Sequence, residues 1–300
     1  MIIWAGSGIA VKAALTALSP LALILARFTI AVLLMLVIGL SCRGNSVLGL
    51  QRVQRGDWWL FLLGGFFEPF IYFILETYTY DSFATPTLAE VFLSTNPLMA
   101  PVFAWLFLRE KVTIYNVLGI IVSTAGMLVL VLAGTDSLAI GSRIGVPLAL
   151  ITVSAAVGYS ITLKKVPARY SSLSVVFWGQ FSGLVMFFVL SLITLLLDPL
   201  HLPFLRFFRL TAAPMSAPSI LGVGYLAVFS SVAAFILFCY CVRFVGVTKA
   251  NIFNNIRPVF TAILMLLLYN EHLPLIKWVG IAIIILGLFI CQKREKNADS

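Results

Sequence analysis

The chain repeats part of its sequence at an offset of 161 residues, and this repetition limits the folds open to it. Four landmarks in the first half return with the same residue type 161 positions later: Pro97, Glu110, Gly119 and Gly126 return as Pro258, Glu271, Gly280 and Gly287. Asn96, which precedes the first of these prolines, is replaced by Arg257. Self-similarity over a fixed interval is the signature of a duplicated structural unit. We therefore expect two related halves, 1–133 and 144–291.

The composition places both halves in a membrane. Of the 300 residues, 61% are hydrophobic and 10% are charged, and the mean hydropathy is +1.08. A chain with so little polar surface cannot coat a soluble globule. A membrane-spanning helix needs about 20 mostly apolar residues. Ten runs of roughly this length are found at 1–18, 20–41, 58–79, 84–107, 113–133, 144–163, 173–197, 218–241, 249–270 and 273–291.

The number of spans in each half determines how the halves are oriented. Five spans is an odd number, so the second half crosses the membrane in the opposite direction to the first. The sequence therefore predicts an all-α polytopic membrane protein with ten transmembrane helices, arranged as two inverted five-helix repeats. Inverted repeats with a site between them are typical of secondary transporters.

The basic residues predict which membrane face each loop occupies. With both termini in the cytoplasm, the inner loops carry Arg43, Arg52, Arg55, Arg109, Lys111, Lys164, Lys165, Arg169, Arg243, Lys249, Lys293, Arg294 and Lys296. The outer loops then carry Arg143, Arg206, Arg209 and Lys277. This is the positive-inside distribution. The net charge of +9 is therefore a topology signal, and we expect no nucleic-acid partner.

Several segments resemble EamA-type repeats of the drug/metabolite transporter superfamily. The opening WAGSGIAVKAALTALSPLALILARFTIA resembles the start of such a repeat, with Trp4, Lys12 and Arg27 at the family's spacing. The helix-terminal glutamates Glu110 and Glu271, each followed by two glycines seven residues apart, look like the ends of the two repeats. Members of this family export amino acids, metabolites, drugs and sugars. The resemblance implies an efflux carrier in a bacterial inner (plasma) membrane. It does not specify the substrate.

The chain departs from this family pattern at its beginning. Only Met1, Ile2 and Ile3 precede Trp4, where the family usually has about half a helix more. We expect either a start upstream of Met1 or a first helix that begins late.

Six ionisable residues lie inside the predicted spans: Lys12, Arg27, Glu68, Glu76, Glu90 and Arg257. A charge at the centre of a membrane helix costs about 2.5–3.5 kcal/mol on insertion scales, so these side chains must face one another or a wet cavity. Three acids and three bases can pair as internal struts, which is the interpretation favoured for Lys12 and Arg27. The alternative is that some of them bind substrate or protons.

The third span offers the first group of candidate site residues. Glu68, Tyr72 and Glu76 are spaced by four, so a regular helix would place them on one inward stripe. Pro69 removes a backbone donor next to Glu68 and favours a kink. Ordinary packing is the alternative interpretation for Tyr72.

The fourth and ninth spans offer the second group. Glu90 and Ser94 in one span correspond to Asn251 and Asn255 in the other, and the full candidate set adds Asn254 and Arg257. We favour a cavity wall near the membrane midplane, although polar contacts between helices are the alternative. A guanidinium at Arg257 can bind a carboxylate or phosphate, or neutralise Glu76 or Glu90. Glu110 and Glu271 are interpreted as structural residues that accept backbone N–H groups of the next helix.

Together these patterns predict a secondary transporter that moves a small organic metabolite by alternating access. We expect efflux driven by a proton or substrate gradient. An uncoupled exchanger or facilitator of the same fold is the alternative, and an integral-membrane enzyme or scaffold is a remote one. The sequence lacks a nucleophile elbow, a Walker loop and a His/Cys metal pattern, so we expect no catalytic residues, metal or cofactor. The expected partners are the substrate, the lipid bilayer and protons.

Overall fold

The computed structural model describes residues 1–42, 44–82, 93, 96–110, 112–132, 145–197, 210–257, 259–260, 263–264 and 275–292. Nearly all of the described chain is helical. The α-helices are α1 (Ile2–Ala5), α2 (Ser7–Leu15), α3 (Pro20–Ser41), α4 (Trp58–Gly65), α5 (Tyr72–Ser82), α6 (Asn96–Leu108), α7 (Ile114–Leu132), α8 (Gly145–Lys165), α9 (Ser172–Leu197), α10 (Ala217–Tyr225), α11 (Ala234–Val245), α12 (Val247–Ile252) and α13 (Leu275–Gln292). Short 3-10 turns occur at Arg55–Asp57 and Phe253–Ile256.

Five helical segments of the described chain are long and apolar enough to cross a membrane. They are Pro20–Ser41, Arg55–Glu76, Pro147–Lys165, Ser172–Leu197 and Ala217–Val245. Shorter apolar helices cover Met99–Leu108, Ile114–Val129 and Trp278–Cys291. Several membrane-crossing helices make this a multi-pass membrane protein. The count of ten spans remains a prediction.

The third predicted span and its counterpart in the second half are not regular α-helices. A π-helical segment at Phe66–Ile71, broken by the non-helical backbone of Glu68, separates α4 from α5, and a second π-helical segment at Leu226–Ala233 separates α10 from α11. Adding the repeat offset of 161 to 66–71 gives 227–232, which lies inside the second π segment. The two halves therefore share a backbone irregularity at the same place. Such π segments are rare and are frequent at functional sites.

Two compact units are formed, and each takes residues from both halves of the sequence. The first unit contains Met1–Ala5, Ile74–Lys164 and Cys241–Ser300, and the second contains Gly6–Phe73 and Lys165–Tyr240. The two units are described separately below.

In the first unit, α7 and α13 pack closely along their length. A Cβ atom added at Gly119 would lie 2.6 Å from the Cβ of Cys291, and one added at Gly126 would lie 2.6 Å from the amide nitrogen of Ile284. The two backbones are thus too close for any side chain at these positions. Small residues permit this approach inside a bilayer, where helices associate by van der Waals packing without a hydrophobic driving force.

In the second unit, each π segment packs against a long helix from the other half of the sequence. The segment Phe66–Ile71 contacts α9, and the segment Leu226–Ala233 contacts α3. Gly183 of α9 lies against Pro69, since a Cβ atom there would be 2.5 Å from the proline Cγ. The Ser182 hydroxyl also donates to the Phe61 carbonyl at 2.9 Å. These reciprocal contacts join the two halves of the sequence within one unit.

The loop after α3 is fastened to the N-terminus of α9. Ser171 and Ser174 both donate from Oγ to the Gly49 carbonyl, at 2.6 and 3.0 Å. The amide of Gln51 donates to Ser174 Oγ at 2.8 Å, and the Leu173 amide donates to the Val47 carbonyl at 3.1 Å. This loop is therefore fixed to α9 by both backbone and side-chain hydrogen bonds.

An ion pair closes the same loop at its far end. Arg169 forms a salt bridge with Asp57, and the Tyr170 hydroxyl donates to the same carboxylate at 2.6 Å. Since both donors come from the turn between α8 and α9, the carboxylate ties that turn to the start of α4.

The segment before α10 is fastened to the N-terminus of α3 in a comparable way. The Ser19 amide donates to the Thr211 carbonyl at 2.9 Å, and the Ala213 amide donates to the Ala17 carbonyl at 2.7 Å. Leu18 and Ala212 form an antiparallel β-bridge. Each of the long helices α3 and α9 is therefore held at its N-terminus by chain from the opposite half.

Candidate functional site

The second unit buries a guanidinium against the π segment of the second half. Arg27, in the second turn of α3, is 4% exposed. Its Nε donates to Ser231 Oγ at 3.0 Å and its Nη2 donates to Ser230 Oγ at 3.3 Å. Ser230 also shares a hydrogen bond of 3.0 Å with Ser7 of α2. Hydrogen bonds to a charged donor are stronger than those between neutral groups, so these serines hold Arg27 in one orientation.

Gln180 of α9 meets the same π segment from another side. Its Nε2 donates to the Ser231 carbonyl at 2.6 Å. Gln180 is 1% exposed, and its Oε1 is buried without a hydrogen-bond partner in the described part of the chain. Because a buried amide oxygen without a donor is costly, this group is a point at which the protein can accept a hydrogen bond.

Aromatic rings line the other side of Arg27. The guanidinium carbon lies 4.5 Å from the ring centroid of Phe73 and 5.0 Å from that of Phe28. Tyr72 packs edge-on to Phe73, with 5.1 Å between the ring centroids. The faces of aromatic rings attract cations, more strongly when water is excluded. Arg27 is thus held by hydroxyls and rings together, and its pairing with an acidic residue remains a prediction.

Glu68 lies inside the first π segment and does not continue the regular helix. Its backbone φ of −149° and ψ of 114° are extended, whereas Tyr72 is helical again. The side chain is 9% exposed. The predicted stripe of Glu68, Tyr72 and Glu76 assumed 100° per residue throughout, and the π segment breaks that regularity between the first two. Glu76 is half-buried and lies beyond the break.

The first unit buries a directed chain of amide and hydroxyl groups. Asn254 Nδ2 donates to Asn251 Oδ1 at 3.3 Å, and Asn251 Nδ2 donates to Ser160 Oγ at 3.1 Å. Ser160 in turn donates to the Ala156 carbonyl at 3.1 Å. Asn251 is 1% exposed and Asn254 is 5% exposed. Two of the predicted site residues are therefore in direct contact, and α8 adds a hydroxyl that the sequence interpretation did not include.

The remaining predicted site residues are described less fully. Arg257 follows the 3-10 turn and is half-buried. Glu90, Ser94, Glu271 and the side chains of Lys12 and Asn255 lie outside the described residues. Their roles remain predictions.

Glu110 binds a helix N-terminus, although a different one from the helix that follows it. Its Oε1 accepts from the Val247 amide at 3.1 Å, and its Oε2 accepts from the amide and hydroxyl of Thr248 at 3.4 and 3.2 Å. Gly246, with φ of +94°, lets the chain turn beside this carboxylate. The carboxylate therefore caps α12, whereas α7 was the expected partner. A negative charge at a helix N-terminus is stabilising.

Comparison with known proteins identifies the family. The sequence matches the EamA-like transporter family over residues 1–132 and again over 143–291. The chain belongs to the EamA-like transporter family. The family match covers both halves and confirms the resemblance to the drug/metabolite transporter superfamily.

Similar proteins carry transporter names. The chain is 26% identical over 284 residues to the uncharacterized transporter YetK of Bacillus subtilis (strain 168), covering 91% of this chain and 78% of that protein. It is 23% identical to an uncharacterized transporter of Archaeoglobus fulgidus, covering 97% of this chain and 95% of that protein. A solved crystal structure superposes with a TM-score of 0.76 at 18% identity, covering 97% of this chain and 93% of the other. At that identity the likeness shows the fold alone.

The serine pair and Gln180 were not found from the sequence of this EamA-like transporter. Ser230 and Ser231 are adjacent hydroxyls and Gln180 is an amide, each within an apolar run. The hydroxyls of serines in such runs usually bond within their own helix. The available signal is positional, because both serines fall at the repeat equivalents of the Glu68-Pro69 region. Within the described residues, no group of three His, Cys, Asp or Glu side chains could hold a metal ion.

Proposed function

We propose that the protein is a secondary transporter that moves a small organic metabolite by alternating access of its two inverted repeats. The observation that carries the proposal is the pair of π segments, Phe66–Ile71 and Leu226–Ala233, at equivalent places in the two halves. Interrupted helices in corresponding positions of inverted repeats are where transporters bind their substrates. Family membership supports the same function.

Each of the two units buries polar groups that supply chemistry for substrate binding. The second unit offers the Gln180 amide oxygen beside the Arg27 and Ser231 contacts. The first unit offers the Asn251 and Asn254 amides. Neutral amides and hydroxyls can bind the polar groups of amino acids, metabolites or drug-like molecules. For a substrate with a carboxylate, Arg257 is the proposed contact.

The proposal also covers how transport is coupled to protons and in which direction the substrate moves. Glu76 and Glu90 are the proposed proton carriers, because intramembrane acids are typical of proton-driven transporters. The direction is proposed to be efflux from a bacterial cell, with both termini in the cytoplasm. A facilitator or exchanger would use the same fold without coupling to protons.

Counterflow in proteoliposomes tests whether the protein transports. Purified protein is reconstituted, loaded with each member of a panel of amino acids, metabolites and drugs, and exposed to the labelled form outside. We expect the label of at least one compound to accumulate transiently inside the proteoliposomes, above the level in protein-free liposomes. Asn251→Leu, which removes the central amide of the Asn254–Asn251–Ser160 chain, should lower this flux at least tenfold.

The matched control is Ser191→Ala, which removes a buried hydroxyl that donates to the Phe187 carbonyl of its own helix at 2.8 Å. This variant should retain flux. If the whole panel gave no flux with folded wild-type protein, the transport proposal would be wrong. Equal loss of flux in both variants would instead contradict the assigned role of Asn251.

A further inference from the structure

Four basic side chains gather at one end of the first unit. Arg109 follows α6, Lys164 is near the end of α8, Arg243 is in the last turn of α11, and Lys249 lies in α12. Arg109, Lys164 and Lys249 are exposed. The positive-inside distribution assigns all four to the predicted cytoplasmic face.

Two hydrogen bonds join the helix ends that carry these four residues. Lys164 Nζ donates to the Arg243 carbonyl at 3.0 Å, which joins the end of α8 to the end of α11. Glu110, the neighbour of Arg109, binds the amide of Val247 at 3.1 Å, which joins the end of α6 to the start of α12. Gly246 lies between these two contacts. The helix ends that carry the four basic residues therefore meet at the turn around Gly246.

The local charge is strongly positive. In the described part of the first unit, the acidic residue beside this turn is Glu110, whose two carboxylate oxygens already accept from Val247 and Thr248. One acid against four bases leaves an excess of three positive charges. An exposed group of this charge attracts anions, above all at a membrane surface where several headgroups are within reach.

Exposed apolar side chains continue from the basic group along the same helices. Phe244, next to Arg243, is 72% exposed, while Trp105 and Leu106, in the turn before Arg109, are 64% and 62% exposed. Lipid acyl chains can cover such a surface, whereas a soluble anion cannot. The basic residues can bind the headgroup of a phospholipid, and the neighbouring aromatic and aliphatic side chains can contact its acyl chains.

We propose that Arg109, Lys164, Arg243 and Lys249 form a binding site for the headgroup of an anionic phospholipid, with its acyl chains against Trp105, Leu106 and Phe244. The site is independent of the substrate that the protein carries. It holds whether or not transport is coupled to protons.

Lipid titration of the full chain in detergent tests the site. Binding of phosphatidylglycerol and of phosphatidylcholine is measured by native mass spectrometry and by the shift in Tm. Wild type should retain phosphatidylglycerol in preference to phosphatidylcholine. The double variant Lys164→Gln, Lys249→Gln should bind phosphatidylglycerol about 30-fold more weakly, since each basic residue near an anionic surface contributes about a factor of five.

The matched control is Arg52→Gln, Arg55→Gln, which removes two exposed arginines of the second unit on the same predicted face. This control should keep the phosphatidylglycerol preference. An equal loss in the control would show attraction to net charge instead of a site, and an unchanged preference in the Lys164/Lys249 variant would overturn the proposal. Competition by soluble glycerophosphoglycerol at the same concentration as the lipid would overturn the assignment to a phospholipid.

Discussion

Ser19 and Ser171 cap the N-termini of α3 and α9 with the same hydrogen bond, although they lie 152 residues apart. Ser19 Oγ accepts from the Ala22 amide at 3.4 Å, and Ser171 Oγ accepts from the Ser174 amide at 3.0 Å. Each capped end is also where chain from the opposite half is attached. The two helices thus begin in equivalent surroundings, although the sequence offset there differs from the 161 residues seen later in each half.

Replacing these serines should destabilise the protein unequally. Ser171→Ala removes the cap and the bond to the Gly49 carbonyl at 2.6 Å, so we expect a loss of about 2 kcal/mol. Ser19→Ala removes a longer cap bond and the bond from the Thr211 amide at 3.1 Å, and should cost about 1 kcal/mol. Thermal unfolding of purified protein measures both. A smaller loss for Ser171→Ala than for Ser19→Ala would contradict the comparison.

The contact between α7 and α13 should tolerate no added methyl group. Gly126→Ala places a Cβ atom 2.6 Å from the Ile284 amide nitrogen, so the helices must separate, and we expect a loss of about 1–3 kcal/mol. Gly179→Ala is the control, since nothing lies within 4 Å of its added Cβ atom. It should be neutral or stabilising, because alanine favours a helix by about 1 kcal/mol over glycine. Gly126→Ala should therefore lower Tm, whereas Gly179→Ala should leave Tm unchanged or raise it. Equal changes in Tm for the two variants would refute the close packing.

The Glu110 cap predicts a graded series. Glu110→Gln keeps one acceptor oxygen for the α12 amides but loses the charge, whereas Glu110→Ala loses both. We expect destabilisation of about 0.5–1 kcal/mol for the first and about 1–2 kcal/mol for the second. Chemical unfolding in mild detergent measures the series. An alanine variant as stable as wild type would show that the cap contributes nothing.

The predicted topology can be tested with reporter tags. Tags after Ser300 and within the loop near Arg52 should report the cytoplasm, and a tag near His201 should report the outside, as the basic residues require. The measurement is activity of a compartment-sensitive reporter in intact cells. A tag at Ser300 that reported the outside would overturn the count of ten spans.

Proton coupling predicts a separation of two transport activities. In the proposed transport cycle, opening to alternate membrane faces would change the hydration of Glu76 and Glu90, and with it the preference of each carboxyl for its neutral form. Glu76→Gln or Glu90→Gln should therefore abolish the response of flux to an imposed pH gradient, while exchange between equal substrate pools continues. Transport in proteoliposomes measures both. Unchanged pH-driven flux in the single and double variants would favour the uncoupled exchanger.

The sequence predicted the features that depend on long, repeated patterns. The apolar run at 113–133 corresponds to α7 (Ile114–Leu132), and the run at 273–291 corresponds to α13 (Leu275–Gln292). Hydropathy and the repeat offset suffice for these elements, because membrane helices satisfy their own backbone hydrogen bonds. The family followed from the same motifs.

Features that depend on contacts between distant residues were not predictable in this way. The partner of Glu110 lies 137 residues away at Val247, and no local pattern indicates that α12 begins beside it. The π segment moved Glu68 away from the predicted stripe, since its extended backbone cannot be inferred from spacing. Ser231 gained its role from Arg27 and Gln180, which reach it from two other helices.

The π segments carry a further consequence for how the two halves have diverged. None of the six residues Phe66–Ile71 is matched by the residue 161 positions later. The second segment has Phe229 and Ser230 in place of Glu68 and Pro69, so a π-helical segment forms there without a proline. In evolutionary terms, every side chain at this place differs between the duplicated halves, while both halves interrupt the α-helix there with a π-helical segment. The first segment carries a carboxylate at Glu68, and the second carries the hydroxyls of Ser230 and Ser231. Two segments at equivalent positions of the repeats therefore present different chemical groups.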